Sequence, residues 1–307
     1  MRAVRLRRAA VQGTAAMVLL AGLSGSEAMS APSERMVFTQ SPDNGFSYYV
    51  YTTAPTGGAR RRISTRRAVG RPSVSADGTR VAFAGPRTDD SDGRYSIYVV
   101  GVNGGGLRRV TAGTYGDMDP AWSPNGRWIA FSRSTRGNLN SPCCLLGKVS
   151  TDGRRTTRLI NHTGGGTWPS WSPDSRNLVF AGPGGVRLVR ADGAGGRLLV
   201  RGSVTQPAWS PSGHRIALVQ RTSPSRSRIL TVNSTGGAVK VAADPGGMVE
   251  TPTWSPDSRS IFFIQYTGLG DDGRRTASVW RIRDGRAARL FRFATPLYGL
   301  DHWGPRR

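Results

Sequence analysis

The chain has 307 residues and is strongly basic, with 43 Lys and Arg against 19 Asp and Glu and a net charge of +24. Its two cysteines exclude a disulfide-stapled scaffold, and a chain of this length buries a core without one. A field of that sign draws polyanions such as anionic cell-wall polymers. No nucleic-acid-binding motif accompanies it, so nucleic acid is not an expected partner.

Taken in chain order, the first segment differs from all that follows. MRAVRLRR is a basic leader, AAVQGTAAMVLLAGL is a short apolar core, and small residues near Ala28 offer a cleavage spacing. Residues 1–28 therefore read as a secretory signal peptide. Gln12, Gly13 and Thr14 interrupt the apolar stretch, which is short for a bilayer span, and no membrane segment is expected after leader removal. Removing the leader leaves a charge of about +21. The protein is expected outside the cytoplasm, whether periplasmic, cell-wall-associated or secreted.

From residue 34 onward one phrase organises the chain. PSVSADGTRVAF begins at Pro72, PAWSPNGRWIAF at Pro120, PSWSPDSRNLVF at Pro169, PAWSPSGHRIAL at Pro207 and PTWSPDSRSIFF at Pro252, spaced 48, 49, 38 and 45 residues apart. Self-similarity at such a period marks a repeat architecture, and this length fits the four strands of a propeller blade. Within each copy a strand A ends at Trp or Val and Ser-Pro-Asp-Gly chemistry supplies a tight turn. The strand B that follows is apolar on successive residues, as for a strand covered on both faces. Runs such as YSIYVVGV from Tyr95 or SVWRIR from Ser278 give strand C. Gly-rich turns at Asn103, Thr151, Ala191, Ser234 and Asp284 lead to a final strand D.

The two ends supply one more unit. GLDHWGPRR puts Trp303 one period beyond Trp254, while ERMVFTQ from Glu34 and FSYYVYT from Phe46 resemble strands B and C. The fold class expected is therefore all-β: a six-bladed β-propeller spanning residues 34–305, four antiparallel strands per blade, closed by a composite blade from both termini. Joining the ends removes the open sheet edge at the seam. The repeats leave no room for a second domain, and a monomer is expected.

Charged residues have a pattern. Arginines fall on the outermost strands and their turns, at Arg60–Arg62, Arg108, Arg109, Arg154, Arg155, Arg158, Arg197, Arg201, Arg286, Arg289 and Arg292, where they discourage edge pairing. Asp43, Asp77, Asp174 and Asp257 are assigned to A-to-B turns. Asp117, Asp119, Glu250 and Asp301 lie at or just before strand A, which lines the channel. B-to-C loops and D-to-A connections emerge on one face, and variable loops on a rigid scaffold are where binding resides.

The candidate ligand-binding residues at this face and channel mouth are Asp117, Asp119, Trp168, Met248, Glu250, Tyr298, Asp301 and His302. No metal site or cofactor is predicted. If a divalent cation such as calcium entered the channel, Asp119, His162, Glu250, Asp301 and His302 would be its ligands. The carboxylates capping loop amides or pairing with Arg is the favoured alternative. Cys143 and Cys144 read as two small strand thiols rather than a strained adjacent bridge. Catalytic constellations are poor: His214 sits on the opposite face from His162 and His302, and no G-x-S-x-G elbow follows the leader.

The phrases WSPNGRWIAF, WSPDSRNLVF and WSPDSRSIFF resemble the TolB-type WD-like propeller repeat across residues 34–305. The resemblance implies a propeller that recognises an envelope or extracellular protein or peptide. It also implies that the additional N-terminal domain of TolB and the hydrolase domain of prolyl oligopeptidase-like enzymes are not expected here. Some oligogalacturonate lyases resemble this repeat too and use several histidines around a metal. Two functions therefore stand: a non-catalytic protein- or peptide-binding module, and an anionic glycan-binding propeller or metal-dependent lyase centred on His162 and His302.

Overall fold

A computed structural model describes residues 35–42, 47–58, 60–87, 94–112, 116–134, 144–158, 165–269, 275–293 and 297–303; the side chains of 157, 158, 268, 269, 275, 298, 302 and 303 are not described. Residues 1–28, expected to be a leader, and Cys143 and His162 lie outside these residues. Alternation of apolar runs with Gly, Pro and Asp turns produces 24 strands and no helix among the described residues.

The chain opens with β1 (Arg35–Gln40), β2 (Tyr49–Thr53) and β3 (Arg61–Arg62). Blade 1 is β4 (Val69–Val74), β5 (Arg80–Pro86), β6 (Tyr95–Gly101) and β7 (Arg108–Arg109). Blade 2 is β8 (Asp117–Trp122), β9 (Trp128–Ser134), β10 (Cys144–Ser150) and β11 (Thr156–Arg158). Blade 3 is β12 (Thr167–Trp171), β13 (Asn177–Gly182), β14 (Gly185–Arg190) and β15 (Arg197–Arg201). Blade 4 is β16 (Val204–Trp209), β17 (Arg215–Ser223), β18 (Arg226–Asn233) and β19 (Lys240–Ala243). Blade 5 is β20 (Met248–Trp254), β21 (Ser260–Leu269), β22 (Arg275–Arg283) and β23 (Arg286–Phe293), and β24 (Leu297–Trp303) ends the chain.

Each blade is a four-stranded antiparallel sheet, and the sixth has the order β24-β1-β2-β3, so strand A of the seam blade comes from the C-terminal end. Asp43 falls between β1 and β2, hence in a B-to-C connection rather than an A-to-B turn, and lies outside the described residues. Its Ser-Pro-Asp phrase had suggested the turn, but in this blade strands A and B are joined by hydrogen bonds and not by chain.

The core repeats with the blades. Phe38, Phe83, Phe131, Phe180, Leu218 and Phe263 occupy the same strand B position and are essentially inaccessible to solvent. Fully burying a side chain of this size stabilises by about 1.5–3 kcal/mol, which makes this column the main apolar anchor between blades. The arginine-bearing strands β3, β7, β15 and β23 are outermost in their sheets.

The Ser-Pro-Asp-Gly turn closes through side chains. Ser172 Oγ donates to Asp174 Oδ1 at 2.5 Å and accepts from Asn177 N–H at 2.9 Å, while Asp174 Oδ1 accepts from Arg176 N–H at 3.0 Å. The Ser172 hydroxyl, then the Arg176 amide, hold the Asp174 carboxyl below its ordinary range. Ser255, Asp257 and Arg259 repeat this geometry in blade 5.

Small substitutions in the phrase pair the blades. Gly126 and Gly213 take positive φ in the turns of blades 2 and 4, whereas blades 3 and 5 place Ser175 and Ser258 there, at φ 60° and 59°. Those hydroxyls accept from Asn125 N–H and Ser212 N–H of the preceding blade, at 3.0 and 2.9 Å. The tryptophans follow the same alternation. Trp122 and Trp209 indoles donate into their own turns, at Gly126 and Gly213. Trp171 and Trp254 donate across to the carbonyls of Ala121 and Ala208, both at 2.9 Å. Ser175→Ala keeps the left-handed backbone and loses the bond, so it is expected to cost about 1–2 kcal/mol in urea unfolding, with Ser175→Gly costing less. A loss below about 0.5 kcal/mol in both variants, each of which lacks the hydroxyl, would remove the inter-blade role.

Candidate functional site

The six innermost strands line a central channel, and each carries an irregularity in its pairing with strand B. At these bulges the backbone turns left-handed, at Gly70, Asp119, Trp168, Gln206, Thr251 and Gly299. Four of the six are not glycine, and each such residue stores about 1–3 kcal/mol of strain. The bulges turn side chains toward neighbouring blades. Asp119 accepts from Trp168 N–H, and Gln206 Oε1 accepts from Thr251 N–H at 2.5 Å.

Asp119 is buried, bonded by Ser132 Oγ at 3.2 Å, with the charge of Arg71 nearby. Burial dominates and pushes its carboxyl up to about 6, against the lowering effects of Ser132, Arg71 and the Trp168 amide. Asp117, two residues earlier, is wholly buried and accepts from Arg133 through both oxygens, at 2.6 and 2.9 Å. Removing the carboxylate leaves a partly buried guanidinium unpaired, so Asp117→Ala is expected to destabilise by about 3 kcal/mol, measured by thermal unfolding. A loss no larger than that of an exposed carboxylate would show the pair to be dispensable.

Asp301 replaces the repeated proline in the seam blade. Its Oδ2 accepts from Val74 N–H of blade 1 at 2.8 Å and its Oδ1 from Thr253 Oγ1 of blade 5 at 3.0 Å, so one carboxylate ties three blades together. Met248 and Glu250 are half-buried on β20, and Trp168 is half-buried on β12. The backbone of Tyr298 and His302 pairs with Thr39 and Met36. Asp119 and Trp168 are brought into direct contact across two blades, while Asp117, Met248, Glu250 and Asp301 lie on β8, β20 and β24. Among the described residues no three His, Cys, Asp or Glu converge on a point.

Two openings meet this channel region. At the end carrying the A-to-B turns, a cavity of about 180 Å³ is walled by tryptophans and prolines, with Arg71 and Asp301 as its charged groups. On the loop face, a cleft of about 770 Å³ lies over blade 3 between its neighbours. It exists because strands B and C of this blade are joined by Pro183 and Gly184 alone. Gly185, at φ 141°, must be glycine: a Cβ there would stand 2.0 Å from the Val200 carbonyl oxygen. Trp168 and Arg201 border the cleft, buried Cys144 lies against it, and glycine backbone forms much of the wall.

Arg71, Gln206, Arg133 and the blade 3 glycines escaped sequence reasoning. The signal for the first two is a column: Arg71, Asp119, Trp168, Gln206 and Thr251 each immediately precede the repeated proline. Within an otherwise constant phrase this position varies freely.

A ring of six four-stranded sheets closed by strands from both ends of the chain, with bulged inner strands, defines a six-bladed β-propeller. The chain belongs to the TolB β-propeller domain family, which it matches over residues 117–275. It is 26% identical over 216 residues to an uncharacterized protein of Agrobacterium fabrum, covering 65% of this chain and 68% of that one. An uncharacterized peptidase of Bacillus subtilis, YuxL, is 24% identical over 216 residues, 68% of this chain but 31% of the peptidase. The structure of TolB from Acinetobacter baumannii superposes with a TM-score of 0.68 at 19% identity, over 87% of this chain and 66% of that one. The chain thus corresponds to less than a third of the peptidase and about two thirds of that TolB.

Proposed function

We propose that the protein is an exported, non-catalytic propeller that binds an envelope or extracellular protein or peptide through the loop face and the adjoining channel mouth. The observation that carries this reading is the cleft over blade 3. Its walls are glycine backbone at Gly182, Gly185 and Gly202 beside the half-buried indole of Trp168. A trough free of bulky side chains next to an aromatic surface suits an extended polypeptide. Strained backbone at Trp168 and Thr251 adds support, because such strain concentrates at ligand-binding positions. Membership of the TolB propeller family favours the same reading, and the leader over residues 1–28 supports export. The reading needs no cofactor.

Anionic glycan binding is the second reading, favoured by the net charge of +24. At the cleft itself Arg201 is the one cation among the residues lining it. Ser203 is exposed on the cleft rim, so Ser203→Trp fills the opening without touching the core. A pull-down from the envelope fraction should recover a partner with the native chain and lose it with Ser203→Trp. Equal recovery by both, or retention of anionic polysaccharide in place of protein, overturns the proposal.

A further inference from the structure

We propose that the groove between blades 4 and 5, on the face carrying the A-to-B turns, is a second binding site, for an extended acidic peptide of a partner protein. It is independent of the cleft over blade 3. The groove encloses about 800 Å³, bounded on one side by β19 and on the other by the turns of blade 5. Its floor is apolar, formed by Trp254, Ile261 and Ile282, which are at most 7% exposed.

Charge and apolar exposure coincide here. Arg215, Lys240, Arg259 and Arg283 line the groove. Arg283 stands 3.8 Å from Asp284, and Asp257 feels the charges of both Arg259 and Arg283. Arg215 and Lys240, both exposed, have no carboxylate within ion-pair distance among the described residues. Beside them Val241 is 52% exposed, as is Val239, and these are the large hydrophobic side chains left most open to solvent among the described residues. Two unpaired cations flanking an exposed aliphatic surface are complementary to a segment that alternates carboxylates with apolar side chains.

Other polyanions fit less well. Sugars and nucleobases gain much of their affinity by stacking on an open aromatic face. Trp254, the aromatic residue of this groove, is 7% exposed and offers no such face. Val241 instead suits an aliphatic or aromatic side chain of a peptide.

The test uses the full chain and a fluorescein-labelled heptapeptide alternating Glu and Leu, read by anisotropy at low and moderate salt. Charge reversal of the two exposed cations, Arg215→Glu with Lys240→Glu, should weaken binding about tenfold and flatten its salt dependence. Val241→Gln should weaken it about threefold with the salt dependence intact. Reversal on blades 1 and 2, Arg109→Glu with Arg154→Glu, should leave it unchanged. Equal weakening by that distant reversal reduces the effect to the diffuse field of the protein and overturns the proposal. So does oligogalacturonate competing as well as the unlabelled peptide, or the absence of saturable peptide binding to the native chain.

Discussion

Asp119→Asn is expected to make the protein more stable at neutral pH, by about 1–2 kcal/mol, and to remove a fall in stability between pH 4 and 6. The carboxyl is pushed from 3.8 to about 6 chiefly by burial. A displacement of that size holds about 3 kcal/mol against the ionised form. Between the two values the unfolded chain has lost the proton and the folded chain has kept it, so stability declines as pH rises. The contribution is fully present below the ordinary carboxylate range and is gone above about pH 6. Asparagine keeps an oxygen for the Trp168 amide, tolerates φ 51° and carries no charge. That penalty is already net of the attraction of Arg71, and part of the gain is offset because a neutral amide oxygen accepts from Ser132 and the Trp168 amide more weakly than a carboxylate. Denaturant unfolding of both proteins at pH 4, 5, 6 and 7.5 checks this. A variant no more stable at pH 7.5, or one with the native slope, would show that Asp119 ionises without penalty in the channel.

The second large effect is at the seam. Gly299 has φ 64°, and a Cβ there would lie 2.2 Å from Arg71 Cα and 2.8 Å from the Gly70 carbonyl oxygen. Both are backbone atoms of blade 1, so no side-chain rotation relieves the clash. Gly299→Ala is expected to cost about 3–5 kcal/mol, combining overpacking with left-handed strain. Gly106→Ala is the matched comparison, since Gly106 has φ 66° with no atom within 4 Å of the added carbon. It should cost about 1–2 kcal/mol in thermal unfolding. If the two alanine variants melt together, the close approach at the seam is not a determinant of ring closure.

Much of the architecture was legible because it repeats. One phrase read five times fixed the blade length, and Trp303 with the ERMVFTQ segment closed the sixth. Tight turns were legible at residue level, since Asp174 and Asp257 serve the backbone as their phrase requires. Asp43 misled because the same tripeptide recurs in a different connection. The bulges were not legible, because a left-handed position usually announces itself by glycine. Here Asp119, Trp168, Gln206 and Thr251 adopt it, held by contacts between blades that lie tens of residues apart in sequence. Acidic residues near strand A were placed correctly on that strand. Their partners, Arg133 for Asp117 and Val74 with Thr253 for Asp301, come from other strands, and pairing of that kind has no signature in spacing. The cleft over blade 3 depends on how short Pro183-Gly184 is relative to its neighbours, a difference in relief that a linear reading does not weigh.

The seam also sets how the ring responds to tension. Strands β1 and β24 run antiparallel with Arg35 opposite Trp303 and Gln40 opposite Leu297, so residues 35 and 303 sit together at one end of the ladder. A force drawing these two points apart loads the hydrogen bonds one after another, like a zipper, rather than all at once in shear. Every other blade is continuous chain and stays outside the line of pull until that ladder has opened. The protein is therefore built to yield first where its ends meet, and Asp301, opposite Val37 within that ladder, resists the opening partway through its ties to both neighbouring blades.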